Sequence, residues 1–134
     1  MTIAYGLEPD LDAREFRDVL VSSTLGARRP VGDPARLERM LREADLIVTA
    51  RKADRLVGVA RSVTDFSYCC YLSELAVDAA FQRRGIGRRL ICETREAAGQ
   101  DTTLVLIAAP AAEAFYPHVG LQRAPSCWVI PRTR

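Results

Sequence analysis

No run of about 18 consecutive apolar residues occurs in this 134-residue chain, so nothing in it reads as a membrane-spanning helix. The N-terminus is too polar and acidic for a secretory leader, with Glu8, Asp10 and Asp12 close to the start. A cytoplasmic protein is expected. Metal chemistry has little to work with: Cys69, Cys70, Cys92 and Cys127 show no C-x-x-C spacing, and His118 is the only histidine. On a strand Cys69 and Cys70 point to opposite faces, so no metal site is expected and buried free thiols are the default. Charge of one sign is also lacking. The 19 basic residues are nearly balanced by 17 acidic ones, and a net charge of +2 argues against a nucleic-acid partner. Lys52 is the only lysine among the basic residues, an imbalance from which no function follows. There is no linker, internal repeat or low-complexity segment. With 49% hydrophobic and 27% charged residues, the chain reads as a single domain spanning 1–134.

What is present is concentrated in residues 72–96. An apolar strand ends near Val77, and after a short connection Gln82-Arg83-Arg84-Gly85-Ile86-Gly87 opens an amphipathic helix with Ile86, Leu90, Ile91 and Thr94 on one face. The first N–H groups of a helix have no intrahelical acceptor, and the helix dipole adds partial positive charge there. Gly85 and Gly87 remove side chains that would keep an anion from the backbone, while Arg83, Arg84, Arg88 and Arg89 crowd the same turn. This reads as a diphosphate cradle; an ordinary glycine-entered helix with solvated arginines is the bland alternative. It is not the dinucleotide fingerprint, which needs a third glycine, nor the G-x-x-x-x-G-K-[ST] loop.

The pattern resembles the acetyl-CoA motif of the Gcn5-related N-acetyltransferase (GNAT) superfamily, Q/R-x-x-G-x-G/A after a strand, matched by Gln82, Gly85 and Gly87 behind Glu74-Leu75-Ala76-Val77. A second segment, Ala111-Ala112-Glu113-Ala114-Phe115-Tyr116-Pro117-His118-Val119-Gly120-Leu121, resembles the later A-x-x-F-Y-x-x-x-G-F element of the same superfamily. The resemblance implies an α/β (α+β) fold with a mixed sheet of about six to seven strands and about four helices, in the order β-α-α-β-β-β-α-β-α-β-β.

Taken in order, residues 2–7 suit a first strand, and 11–20 a helix capped by Asp10 or Asp12. Pro34 opens a second helix, 34–44, behind Asp33 as N-cap, burying Leu37, Met40 and Leu41. Between them lies a polar loop, 22–32, in which Arg28 and Arg29 meet an acceptor's carboxylate or phosphate, or are merely solvated. Segments 46–50 and 55–63 read as a hairpin, 69–77 as the next strand, and 103–108 as a buried strand after a helix stopped at Gly99. A short helix at 111–118 and closing strands at 121–123 and 127–130 complete the reading.

The resemblance further implies that the pantetheine arm lies between the strand ending at Val77 and the strand at 103–108. Cofactor contacts then fall on Leu75, Ala76, Val77, Gln82, Arg83, Arg84, Gly85, Ile86, Gly87, Arg88 and Tyr116. The chemistry implied is direct attack of a primary amine of a small molecule or peptide on the acetyl-CoA thioester. Glu74 is a candidate base, or simply a salt-bridged glutamate; Tyr116 is a candidate proton donor to the leaving thiolate, or a packing residue. An asparagine common in the family about seven residues before that tyrosine is Ala109 here. A homodimer through the late strands around Cys127 to Ile130 is part of the same expectation, with Trp128 either an interface anchor or a core residue. The alternative from another class is a non-catalytic acyl-CoA-binding module.

Overall fold

The computed structural model describes residues 2–133. Two helices begin where an aspartate can take up orphan backbone donors. Asp12 accepts from the Arg14 N–H at 2.7 Å and starts α1 (Ala13–Ser22), and Asp33 accepts from the Arg36 N–H at 3.1 Å and starts α2 (Pro34–Arg42). Together with β1 (Ala4–Leu7), β2 (Leu46–Lys52), β3 (Arg55–Thr64), β4 (Cys69–Val77), α3 (Ile86–Ala98), β5 (Thr103–Val105) and α4 (Phe115–His118), these complete the regular elements of the described residues, apart from three short 3₁₀ turns.

The strands form one mixed sheet in the order β1-β2-β3-β4-β5, antiparallel except for the parallel β4–β5 pair. Apolar side chains cover both faces. Phe16, Leu20, Leu37 and Leu41 of α1 and α2 pack on Ile47, Val59 and Ala76, while Ile86, Leu90 and Ile91 of α3 pack on Val48, Val57 and Leu72. β3 runs through the middle and is buried almost throughout, as a strand covered on both faces must be. At Gly58 of β3 an added Cβ would lie 3.1 Å from Leu90 and 3.2 Å from Ile86. α3 therefore rests directly on backbone there. Gly58→Leu is expected to lift the helix and destabilise the protein by about 1–3 kcal/mol, read as a lowered urea midpoint; an unchanged midpoint would show that α3 does not sit so close.

Strand β4 carries a bulge. Arg61 of β3 faces Glu74 and Ser62 faces Leu72, so Ser73 is the extra residue. Strict alternation puts Leu72, Glu74 and Ala76 on one face; instead Leu72 faces α3, while Ala76 packs with α1 and α2 and Glu74 pairs with Arg61 on that side. The bulge also turns β4 away from β5, which it meets only at Cys69–Thr103, Cys70–Leu104 and Tyr71–Val105.

Several sequence expectations change. The sheet has five strands, not six or seven, and β5 ends at Val105 rather than at 108. The closing strands expected at 121–123 and 127–130 do not form: residues 121–133 carry no helix or strand, and Trp128 is 89% exposed. The 127–130 run is bounded by Pro125 and Pro131, which donate no ladder hydrogen bond, and apolar side chains alone do not make a strand without a paired edge. The helix expected over 111–118 is a 3₁₀ turn at Pro110–Ala112 followed by the single turn of α4. Only Cys70 is a buried thiol; Cys69, Cys92 and Cys127 are exposed. Among the described residues no helix is long and apolar enough to cross a membrane, and no group of three side chains is placed to hold a metal ion.

Candidate functional site

Where β4 and β5 part, the molecule opens into a cavity of about 1040 Å³. Leu75, Ala76 and Val77 form one wall, and Leu106 and Ile107, just past the end of β5, form part of the opposite one. Among the described residues no strand pairs with this edge of β4 beyond Tyr71, which leaves it open along the cavity apart from the Ser73 and Val77 carbonyls, taken by Arg29 and Gln82.

Gln82 lines the same cavity and donates its side-chain amide to the Val77 carbonyl at 2.9 Å, tying the connecting loop to the strand end. Arg83 (φ 63°) and Gly85 (φ 80°) both adopt left-handed backbone, which turns the chain sharply into α3. At Gly85 this conformation is the reason for glycine, since an added Cβ would meet nothing within 4 Å. Gly87 has a different reason. A Cβ there would lie 3.2 Å from the Phe115 ring, so the second glycine lets α4 pack on the first turn of α3. This links the two motifs that the sequence displayed apart.

The start of α3 differs from those of α1 and α2. No side chain caps it and its first turn carries no acid, so the N–H groups of Ile86, Gly87 and Arg88 have neither an intrahelical acceptor nor a capping one. Arg83, Arg84 and Arg88 surround this turn, all exposed, with the Arg84 guanidinium 5.6 Å from the centre of the Phe81 ring. Arg89 is turned elsewhere: it pairs with Glu93 at 3.1 Å and stacks 4.6 Å over Tyr5. An uncapped helix start inside an arginine cluster has the donors and charge that suit an anion.

On the α1–α2 side of the cavity lies an ion network that sequence reading did not assemble. Glu74, 2% exposed, accepts from Arg61 Nε at 2.5 Å, Arg29 Nε at 2.6 Å and Ser73 Oγ at 2.9 Å. Arg29 also donates to the Ser73 and Arg28 carbonyls, and Arg61 to the Met40 carbonyl. Arg29 thereby closes the loop between α1 and α2 onto β4. Arg61 had no local signal to mark it, because its partner is 13 residues away across a bulged register.

Tyr116 of α4 lines the cavity, with its ring packed on the α3-side core and edge-on to Phe115 at 5.2 Å. Burial raises its phenol above the ordinary tyrosine value, an effect partly opposed by the positive charge of Arg29. The hydroxyl therefore keeps its proton at neutral pH. Ala109 also borders the cavity, and no cysteine does.

The family model described as acetyltransferase (GNAT) domain matches residues 26–126. No curated protein matches the chain. Among solved structures, one similar fold is a protein of unknown function and probable acetyltransferase from meticillin-resistant Staphylococcus aureus, with TM-score 0.82 and 16% identity over 99% of this chain and 100% of that one. A GNAT family acetyltransferase from Streptococcus pneumoniae superposes with TM-score 0.77 and 19% identity over 98% of this chain and 100% of that one. An aminoglycoside acetyltransferase from an uncultured soil metagenomic sample, solved in complex with sisomicin, gives TM-score 0.74 and 18% identity over 98% and 96%.

Proposed function

The chain belongs to the GNAT acetyltransferase family, and on that premise we propose that it moves an acetyl group from acetyl-CoA directly to a primary amine of a small molecule or peptide. The observation that carries the reading is the uncapped start of α3, ringed by arginines, joined through Gln82 and Val77 to the cleft that opens where β4 and β5 part. Acetyl-CoA supplies a thioester, an acyl group already activated toward amines. The N–H groups of Ile86, Gly87 and Arg88, with Arg83, Arg84 and Arg88, bind its diphosphate, and Gln82 holds the loop in register. The β4 edge at Leu75, Ala76 and Val77 pairs with the amides of the pantetheine arm and polarises the acyl carbonyl, a contribution of about 3–4 kcal/mol where one such donor is well aimed. Tyr116 donates its proton to the sulfur that leaves.

The geometry of Glu74 weighs against its acting as base. Both of its oxygens are already taken, one by Arg61 and the other by Arg29 and Ser73, and its work in this reading is to position Arg29 and Arg61. The amine loses its proton to solvent on entering a field set by arginines.

Acetyl-CoA at a hundredfold excess over its dissociation constant is expected to stabilise the fold by about 2.7 kcal/mol, read as a thermal shift. Arg84→Ala with Arg88→Ala should weaken CoA at least tenfold and leave a pantetheine fragment, which lacks the diphosphate, nearly unaffected. Equal losses for both ligands would remove the cradle from this reading. A thiol-release screen over amines, amino acids, peptides and aminoglycosides then tests transfer itself. Absence of both binding and release would overturn the proposed function.

A further inference from the structure

The charge of the cavity wall is out of proportion to that of the chain. Across the whole sequence 19 basic residues face 17 acidic ones, yet Arg28, Arg29, Arg36, Arg61 and Arg132 line the cavity against a single carboxylate, Glu74. That carboxylate is buried and already taken by Arg29 and Arg61, so it presents no free anion to a ligand. Arg28, Arg36 and Arg132 form no ion pair among the described residues. Arg28 and Arg36 come from the loop after α1 and from α2, elements other than the α3 start that takes up phosphate in the reading above.

Resting on the acetyl-transfer reading of this cleft, we propose that the acceptor is an amine bearing an anionic group, a carboxylate or a phosphate ester, which Arg28 and Arg36 bind. The physical argument has two parts. A concave wall of one charge sign focuses its field into the cavity, which draws in anions and repels polycations. The same field disfavours the ammonium form of a bound amine and lowers its pKa, so the nucleophile becomes neutral without a protein carboxylate to take its proton. An acceptor with its own negative group compensates the arginines and leaves its amine end free to face the thioester. A guanidinium also matches both anions, because its fork of donors fits two oxygens at once.

Matched pairs of acceptors test this. β-Alanine against β-alaninamide isolates the carboxylate, O-phosphoethanolamine against ethanolamine isolates the phosphate, and spermine supplies the polycation. Rates are measured as thiol release at saturating acetyl-CoA and expressed per fraction of free amine. The anionic member of at least one pair is expected to show kcat/KM at least tenfold above its neutral partner, with spermine below both. In Arg28→Gln/Arg36→Gln that preference should fall to within about threefold, and Arg36→Glu should favour the neutral member, while the thermal shift from acetyl-CoA is unchanged in each variant. A wild-type protein that uses the neutral amines or spermine as well as the anionic ones overturns the proposal and leaves acetyl transfer standing. So does a preference that survives the double variant, and so does acetyl-CoA binding with turnover of neither anionic amine. Failure to bind acetyl-CoA at all overturns both readings together.

Discussion

Glu74→Gln is expected to destabilise the protein by about 3–5 kcal/mol, on the order of 10 °C in melting temperature, because it leaves two guanidinium groups facing each other without the anion between them. Both guanidinium groups border the cavity, and Arg61, 10% exposed and bonded to the Met40 carbonyl, is held deeper in its wall than Arg29, at 16%. Glutamine keeps the shape of the side chain, so the loss measures charge rather than packing. A second variant separates the structural role from a catalytic one. Glu74→Leu with Arg61→Leu removes both members of the deeper pair, and it should be less destabilised than Glu74→Leu alone, because one guanidinium, that of Arg29, is then left without its carboxylate instead of two. The measurements are urea midpoints and, on the folded fraction, the pH profile of turnover. A Glu74→Gln protein with wild-type stability and turnover reduced a hundredfold or more would return Glu74 to the role of base.

Tyr116→Phe is expected to lower kcat by about 10²-fold, equivalent to roughly 2.7 kcal/mol of barrier, while acetyl-CoA binding stays within a few-fold. The phenylalanine keeps the ring that packs on the α3-side core and stands edge-on to Phe115, so the substitution isolates the hydroxyl. Burial raises the phenol above its ordinary 10.0, which keeps it protonated, and able to donate, throughout the neutral range. Any alkaline limb it contributes to kcat therefore lies above that value and should vanish in the variant. Full turnover in the variant would make Tyr116 a packing residue and leave protonation of the leaving sulfur to water or to the acceptor's own ammonium.

Much of the fold was legible because it is written in local interactions. An aspartate three positions or fewer before a helical repeat takes up that helix's own first N–H groups, so Asp33 and Pro34 mark the start of α2 with no reference to the rest of the chain. The apolar spacing at Ile86, Leu90, Ile91 and Thr94 names the buried face of α3, and Gly99 ends that helix with backbone no other residue readily adopts. The resemblance to an acetyl-CoA motif rested on the same short range, six consecutive residues from Gln82 to Gly87.

Where the reading went astray, the deciding interaction was distant in sequence. An apolar run between Pro125 and Pro131 looks like a strand by composition, but a strand exists only where another edge is free to pair with it, and no local feature states that. Period-two alternation alone would put Leu72, Glu74 and Ala76 on one face; one extra residue at Ser73 sends Leu72 to the other, a consequence of register against β3. That bulge, with the parting of β4 from β5 just beyond Tyr71, brings Glu74 to Arg61 and opens the cleft. Arg29 reaches Glu74 from 45 residues away. The sequence by itself determined the caps, the helix faces and the glycine turn into α3, because each is set by neighbours within one helical turn. Only the tertiary structure decided which arginines share the cavity and which carboxylate is spent among them, because sheet register and loop closure join residues that no spacing connects.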